Sequence, residues 1–565
     1  RRIYKKDGPA ILFENVKGCN FKCISNIYGT TRRAKLLFKD TYNAVRSIIG
    51  AKANPLGMLK HPIGAFQAFA TAGKGLPIKV SNSTAPVMEC RAKLSDLPQI
   101  VSWPMDGGAF ITLPSVYSEH PDFTGKPLRS NLGMYRIQIS GNQYVTDKEI
   151  GLHYQIHRGI GVHQKLHKDK DMPFRVAIFV GGSPALPFSA VMPLPEGLPE
   201  VAFSGLMAGS NFRYTRYKDW TIAADADFAI IGTIKSQMKP EGPFGDHLGY
   251  YSLTHEFPCM EVEEVFHRKN AVWPFTVVGR PPQEDTTFGE VIHDLTDKVI
   301  PTEIPGLHAV NAVDAAGVHP LLLAVGEERY TPFTKIERPS ELLTIANGIL
   351  GKGQLSLAKY LLIADIAERP NIHNIPKFFT HILERIDWSR DLHFQTETSI
   401  DTLDYSSEEI NVGSKVVWAC TGNSCRSLSN QLPTLSSSQG CVVHNGILAI
   451  KGPKCVDYKN AENEIELLIQ EIKQCVNANE FPLVIICDDP VFISKDFNNF
   501  LWATFTRSNP SHDIYGVDSF IKFKHWGCKG SLIIDARFKP HNAPPLLENE
   551  DISASVDNIL TKIVI

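Results

Sequence analysis

From about residue 103 to 300, apolar and polar positions alternate in short runs: "FITLPSVYS", "MYRIQISGNQYV", "FRVAIFVGG", "DWTIAADADFAIIGTI" and "HEFPCMEVEEVFHRKNAVWPFTVVGRP". A period of two, interrupted by Gly, Pro and Asp turns, predicts strands gathered into one barrel-like or split-sheet domain. The flanks read differently. Upstream, "AILFENV" has a strand pattern and "KLLFKDTYNAVRSIIG" spaces its apolar residues for a helix, whereas "ANPLGMLKHPIGAFQAFATAGKGLP" is broken into short pieces. Downstream of 300, longer segments alternate as βα units. The expected fold class is α/β (α+β). An N-terminal α/β region over 1–105, its start missing, is followed by a β-rich domain over 106–305 and a C-terminal α/β domain over 306–565.

Two downstream segments are alike. "KYLLIADIAERPNIHNIPKFFTHILERIDWSRDL" (359–392) and "PLVIICDDPVFISKDFNNFLWATFTRSNPSHDI" (482–514) each run from an apolar strand through an acidic turn and an amphipathic helix to Ser-x-Asp. Two readings stay open: an ancestral duplication, or two ordinary βα units of one parallel-type sheet. The intervening "YSSEEINVGSK" and "TGNSCRSLSNQLPTLSSSQG" read as loops.

Bulk properties narrow the field. A chain of 565 residues should divide into at least two cores. With 58 basic and 60 acidic residues and a net charge of -2, nothing predicts a nucleic-acid or anionic-membrane partner. The most apolar long segment, "LHAVNAVDAAGVHPLLLAVG" (307–326), carries Asn311, Asp314 and His319, so no integral membrane segment is expected. The start lacks an initiator Met and reads as a trimmed chain; nothing in it suggests export, and the expectation is a cytoplasmic protein. Eleven scattered cysteines lack the paired spacing of a structural zinc site and read as free thiols, ahead of a thiolate metal site or a disulfide framework.

Chemistry concentrates in the β-rich block. "EGPFGDHLGYY" (241–251) places Glu241 and Asp246 on a path constrained by Gly242, Pro243 and Gly245. Such a path either aims two carboxylates into one cavity or makes a surface turn with solvated acids. Asn131 and Arg136 lie in "SNLGMYRIQISG", His157 in "HYQIHRGIG" and Glu200 in "VMPLPEGLPE". Asn carbonyl, imidazole and carboxylate form a donor set suited to Mg²⁺, Mn²⁺ or Fe²⁺ with positions left open; equally, His157 reads as a satisfied barrel histidine.

Taken together, "NLGMYR", "PLPEGLPE", "EGPFGDHLGYY", "VVGRPPQED", "GQLSLAKYLLIAD", "ICDD" and "HWGCKGSLIIDARFKP" occur in an order that resembles the UbiD family of decarboxylases across nearly the whole chain, closest to its 4-hydroxy-3-polyprenylbenzoate branch. The resemblance implies a central split β-barrel that binds prenylated FMN, anchored through its phosphate by a divalent metal, usually Mn²⁺, with K⁺ nearby. It puts the metal ligands on Asn131, His157 and Glu200, the active-site arginine on Arg136, its carboxylate partner on Glu241 and the acid/base position on Asp246. Lys359 resembles the lysine that contacts the flavin phosphate, although "PLVIICDD" matches the same family strand and lacks it. "GSPALPFSAVMPLP" (182–195) looks like the loop against the phosphate and K⁺, with Met192 near the ring. A flavin prenyltransferase as cofactor supplier and a homodimer or homohexamer are also implied.

The transferred roles make chemical sense. Loss of CO₂ from an sp² carbon strands an electron pair, and the cofactor supplies the sink. Arg136 would clamp Glu241 and lower its pKa, while desolvation would raise that of Asp246 so that it delivers the proton. The expected reaction is decarboxylation, in either direction, of a hydroxybenzoate-type acid to CO₂ and an arene. Alternatives are polycyclic or thioester-linked aromatic acids, a flavin-binding reductase, or a non-catalytic homologue; "GKGQLS" is a weak signal for the nicotinamide a reductase needs. The residues around 395–480 carry no legible motif.

Overall fold

The apolar run that begins at Phe228 forms a strand of 14 residues, long enough to carry Glu241 from the core to one end of a nine-stranded sheet. In the computed structural model of the chain, the residues described are 1–53, 71–154, 159–194, 198–297, 299–333, 338–436 and 438–561. They form a mixed α/β fold that divides into two compact units, Arg1–Thr296 together with Pro544–Ile565, and Asp297–Ala543.

The large sheet of the first unit contains β1 (Cys90–Ala92), β2 (Phe110–Ile111), β3 (Pro114–Glu119), β4 (Ser130–Gly133), β5 (Ile137–Gln138), β6 (Glu149–Leu152), β7 (Phe174–Val180), β8 (Phe228–Glu241) and β9 (His255–His267). Its order is β2-β5-β6-β9-β8-β7-β3-β4, with β1 also on β9. The pairing path is open among the described residues. Alternation along β7 explains why both faces are covered: Val176, Ile178 and Val180 enter a core with Ile137, Ile150 and Trp273, while Ala177 and Phe179 enter another with Leu186, Val201 and Phe266. Helices α1 (Gly159–Asp169) and α2 (Glu200–Ala208) contribute the flanking apolar residues Ile160 and Val201. Two irregularities in the β8–β9 ladder, at Ile231/Gly232 and Ile234/Met238, re-aim the end of β8 before it closes on the pair Glu241–His255.

The second unit settles the likeness between residues 359–392 and 482–514. They do not share one sheet. The first belongs to β10 (Leu307–Val313), β11 (Val318–Gly326), α3 (Glu341–Leu350), β12 (Tyr360–Asp365), α4 (Ile375–Leu383), β13 (Leu392–Ser399) and β14 (Val412–Cys420), with sheet order β10-β11-β12-β14-β13. The second belongs to β15 (Gly440–His444), β16 (Ile447–Lys451), α5 (Tyr458–Cys475), β17 (Leu483–Cys487), α6 (Phe497–Arg507), β18 (Ile514–Gly516) and β19 (Leu532–Asp535), with order β15-β16-β17-β19-β18. In each, the first and last pairs are antiparallel and the middle three strands parallel.

The two halves also touch. Ser414, near the start of β14, accepts the Ser511 N–H at 2.8 Å and donates its own N–H to Asn509 at 3.0 Å, in the turn after α6. The corresponding turn after α4 accepts Cys528 N–H through the Trp388 carbonyl at 3.3 Å and meets His525 through the Ser389 carbonyl at 3.1 Å. Same strand order and same strand directions are what a duplicated unit produces. Residues 395–480, unreadable as a motif, supply the last strands of the first half and the opening strands and helix of the second.

All eleven cysteines are free thiols. Among the described residues no helix is long and apolar enough to cross a membrane.

Candidate active site

Between Glu241 and His255 the chain doubles back: Phe244 and Gly245 pair with Ser252 and Tyr251, and Asp246 donates its N–H to the Tyr250 carbonyl at 3.0 Å. The stretch is a tight hairpin hung from the β8–β9 ladder. Gly242 makes the entry, with φ +90°, its N–H on Gln138 Oε1 at 2.9 Å and its carbonyl accepting Asn142 Nδ2 at 2.7 Å. That φ favours glycine. At Gly245 a Cβ would lie 2.0 Å from the Trp103 ring, so the indole packs directly on the backbone. Asp106 secures the same corner by accepting the N–H groups of Ser102, Trp103 and Gly245 at 3.0, 2.9 and 2.8 Å.

Both carboxylates of the hairpin converge on Arg136, which lies in the turn between β4 and β5. Its Nε and Nη2 donate to Glu241 Oε1 and Oε2 at 2.8 and 2.7 Å, a bidentate clamp, and its Nη1 donates to Asp246 Oδ2. Nη2 also lies 2.9 Å from Ser252 Oγ and from His153 Nδ1, and the guanidinium sits 4.8 Å over the Phe244 ring. The Glu241 side chain is 0% exposed and that of Arg136 8%. Burial pushes the Glu241 carboxyl up, but the Arg136 charge and hydrogen bonds outweigh it and hold it at about 2.

Asp246 departs from expectation. Burial does push its carboxyl up, as a closed pocket should, yet His247 and Arg136 together prevail and leave it below the ordinary aspartate range. His247 donates its backbone N–H to Oδ1 at 2.7 Å, and its Nδ1 lies 2.8 Å from the same oxygen. The expected rise is thus corrected to a fall.

His153 was not singled out in the sequence. It follows β6, lies 3.2 Å from Glu241 Oε2 through Nδ1, and packs its ring, tilted by 36°, against Phe257 at 4.1 Å. Burial, then the neighbouring Arg136 charge, holds the imidazole below its usual value, and among the described residues its Nε2 is buried without a partner. Ser252, Phe244 and Gln138 were missed as well, since each reaches the site through pairing that only the folded sheet creates.

Of the expected metal ligands, His157 lies outside the described residues. Asn131 on β4 and Glu200, first residue of α2, are neighbours: the N–H of Leu132, next to Asn131, points to Glu200 Oε2 at 3.4 Å. Burial raises the Glu200 carboxyl, and among the described residues no cation is paired with it. The chain two residues beyond His157 passes close to Asn131, since a Cβ on Gly159 would lie 2.1 Å from Asn131 Oδ1. A partly buried carboxylate beside an amide oxygen, with no cation paired to it among the described residues, fits a divalent ion. Among the described residues no group of three His, Cys, Asp or Glu could hold one.

Met192 is buried directly after the helix Ala185–Val191, whose Ala190 carbonyl accepts the Met134 N–H at 3.0 Å, two residues before Arg136. Lys359 belongs to the second unit. It is 1% exposed, with Nζ 2.8 Å from both Asp404 Oδ2 and Ser406 Oγ. So enclosed a pair has the form of a structural ion pair rather than an open phosphate contact.

Three family models match the chain: the N-terminal domain of 3-octaprenyl-4-hydroxybenzoate carboxy-lyase over residues 1–52, its Rift-related domain over 78–281 and its C-terminal domain over 286–420. A Chlamydia pneumoniae protein, named as one of the subunits of 4-hydroxybenzoate decarboxylase, is 33% identical over 557 residues, covering 96% of this chain and 89% of its own. Among solved structures, the closed form of vanillic acid decarboxylase from Sedimentibacter hydroxybenzoicus superposes with a TM-score of 0.62 at 18% identity, covering 83% of this chain and 92% of that one. The UbiD-class enzyme HmfF from Pelotomaculum thermopropionicum, in complex with FMN, gives 0.55 at 18% identity over 73% and 84%.

Proposed function

Because the chain belongs to the UbiD family of 3-octaprenyl-4-hydroxybenzoate carboxy-lyases, an enzyme family of decarboxylases and carboxylases, we propose that it removes CO₂ from, or adds it to, a hydroxybenzoate-type aromatic acid with prenylated FMN. The observation that carries the reading is the buried cluster in which one guanidinium holds two carboxylates of a single constrained hairpin. Prenylated FMN would supply the electron sink. It would sit in a split barrel built on the nine-stranded sheet, with Asn131, His157 and Glu200 holding a divalent ion at its phosphate, K⁺ alongside and Met192 near the ring.

The chain's own residues then have separable tasks. Arg136, kept cationic and fixed by Glu241, orients the reacting carboxylate. The hairpin excludes water, and the Asp246 end of it handles the proton that replaces CO₂. A phenolic substrate is favoured by the relative named for 4-hydroxybenzoate and the structural neighbour named for vanillic acid. A homodimer or homohexamer, loaded by a flavin prenyltransferase, is the proposed working form.

The test is reconstitution with prenylated FMN, Mn²⁺ and K⁺, followed by a CO₂-release assay over a panel of hydroxybenzoates. Flavin absorbance in the purified protein together with CO₂ release is expected. Stable flavin binding with nicotinamide-dependent reduction and no CO₂ from any acid would overturn the proposal.

A further inference from the structure

In the second unit, β13 is an edge strand: it pairs with β14 on one side only. Its other side meets two pieces of the second half, the short helix Pro510–Asp513 and a hairpin formed by Ser519–Lys522 and His525–Cys528. This seam keeps a cavity of about 370 Å³, within the range of small-molecule sites and toward its lower end. Its walls divide by chemistry. Phe394 and Trp526 meet edge to face with ring centroids 5.7 Å apart, and Leu392 and Ile514 extend this apolar wall. The ionisable lining is basic throughout: Lys524, His393 and His525, with no Asp or Glu among the described lining residues.

These three basic groups have unused capacity. No carboxylate pairs with Lys524 among the described residues. His393 has a buried Nε2 without a hydrogen-bond partner among them. His525, its ring 5.9 Å from that of His393, has its Nε2 3.1 Å from the Ser389 carbonyl; a carbonyl only accepts, so this nitrogen donates and the ring is held in place. Lys524 reaches its position through a strained turn. Between the paired residues Lys522 and His525, Phe523 and Lys524 both have positive φ, +51° and +66°, where a two-residue turn ordinarily uses Asn-Gly or Asp-Gly. Strain of this kind collects at ligand clamps. The lining also decides the sign of the ligand. A metal cation would find two imidazoles, no carboxylate or thiolate and a repelling lysine. Water would serve the nitrogens and leave the aromatic wall unmatched. A small anion with a flat apolar body matches both walls.

We propose that this cavity binds a monocyclic aromatic carboxylate, its ring against Phe394 and Trp526 and its charge toward Lys524 and the two histidines. The site lies wholly in the second unit and does not depend on the decarboxylase reading. Such a ligand joins the two halves, since His393 and Phe394 come from the first and Lys524, His525 and Trp526 from the second.

The test is photolabelling of the full chain with 4-azidobenzoate, the label located by peptide mass spectrometry. It is expected in the peptides that carry Phe394 and Trp526. Benzoate should suppress it, and benzamide, of the same shape without the charge, should need at least about tenfold more, the scale of one hydrogen bond to a charged group. Lys524→Met should weaken labelling of both peptides by a similar factor and leave any label in the first unit unchanged. Denaturant unfolding gives a second reading: benzoate should raise the midpoint of the second unit in wild type but not in Lys524→Met. Label confined to the first unit, or suppressed equally by benzamide, would overturn the proposal. So would Lys524→Met protein that is labelled and stabilised like wild type.

Discussion

Arg136 in the first unit and Arg537 in the second are both buried cations with a bidentate carboxylate, and their described partners differ in kind. Arg537, 0% exposed, holds Asp535 through Nε and Nη2 at 2.9 Å each, and its Nη1 reaches Glu464 at 2.5 Å and the Pro453 carbonyl at 3.0 Å. Beside it, Lys539 ends on the carbonyls of Asp535 and Arg537 at 2.9 and 3.3 Å and on Asp513 at 3.2 Å. Backbone carbonyls cannot exchange partners without moving the fold. The described partners of the Arg136 guanidinium are side chains: Glu241, Asp246, His153 and Ser252. Side chains can release a cation to a substrate and take it back. Burial of charge is therefore common to both clusters and diagnostic of neither; among the described partners, a backbone carbonyl joins the carboxylates at Arg537, while those at Arg136 are side chains.

Removing the architectural cation should have the larger effect on stability. Arg537→Met leaves Glu464 without its cation and Asp535 with the charge of Lys539 alone, and loss of one partner from a buried pair costs about 3–5 kcal/mol. Denaturant unfolding monitored in the second unit should shift accordingly, while turnover per bound flavin in the surviving protein stays near wild type. A shift below about 1 kcal/mol, the scale of exposed pairs, would mean that backbone acceptors do not mark a structural cluster.

Glu241→Gln probes the other side of the comparison. Glu241 is held at about 2, below its ordinary 4.5, so its stabilising contribution is fully present above the ordinary value and is lost as pH falls through about 2. The neutral amide should lower stability at neutral pH by about 1–3 kcal/mol, the scale of a hydrogen bond to a charged group, and flatten the acid limb of unfolding midpoint against pH. Turnover should fall as well, because Arg136 keeps Asp246 but loses the clamp that aims it. Equal acid limbs in wild type and Glu241→Gln would sink the claim that Arg136 holds this carboxylate ionised.

The parts of this site that were legible in the sequence were local ones. Gly242, Pro243 and Gly245 announced a constrained turn, and the turn does present both acids inward. Family resemblance supplied Arg136, 105 positions away from Glu241 in the chain. His153 carried no local signal: it stands near Arg136 because β6 pairs with β9, Gly151 opposite Cys259, a register no short window encodes. The charge state of Asp246 was misjudged for the same kind of reason. Burial could be anticipated from the apolar block, but the third contact of Arg136 and the Nδ1 of His247 exist only in the folded hairpin. Likewise, 359–392 and 482–514 share a pattern, and nothing local says whether two such units join one sheet or found two; partner choice between strands is a long-range outcome.

The smallest effect expected from this comparison lies in Asp513, the second carboxylate around Lys539. It is 0% exposed, accepts the Asn509 N–H at 2.6 Å and lies 3.2 Å from Lys539 Nζ. Burial raises its carboxyl above the ordinary aspartate value of 3.8, with Lys539 pulling the other way. The linkage sign is thus opposite to that of Glu241: the stability Asp513 contributes is fully present below 3.8 and is lost as pH rises through the raised value. Asp513→Asn keeps the shape and an amide oxygen for the Asn509 N–H, removes the charge that burial penalises, and leaves Lys539 its carbonyl acceptors. At neutral pH the unfolding midpoint of the second unit should move by no more than about 1 kcal/mol in either direction, while the downward slope between mildly acid and neutral pH disappears. A slope that persists unchanged in Asp513→Asn would assign it to another group and leave Asp513 as an ordinary ionised partner of Lys539, which would place the two clusters closer in kind than their acceptors suggest.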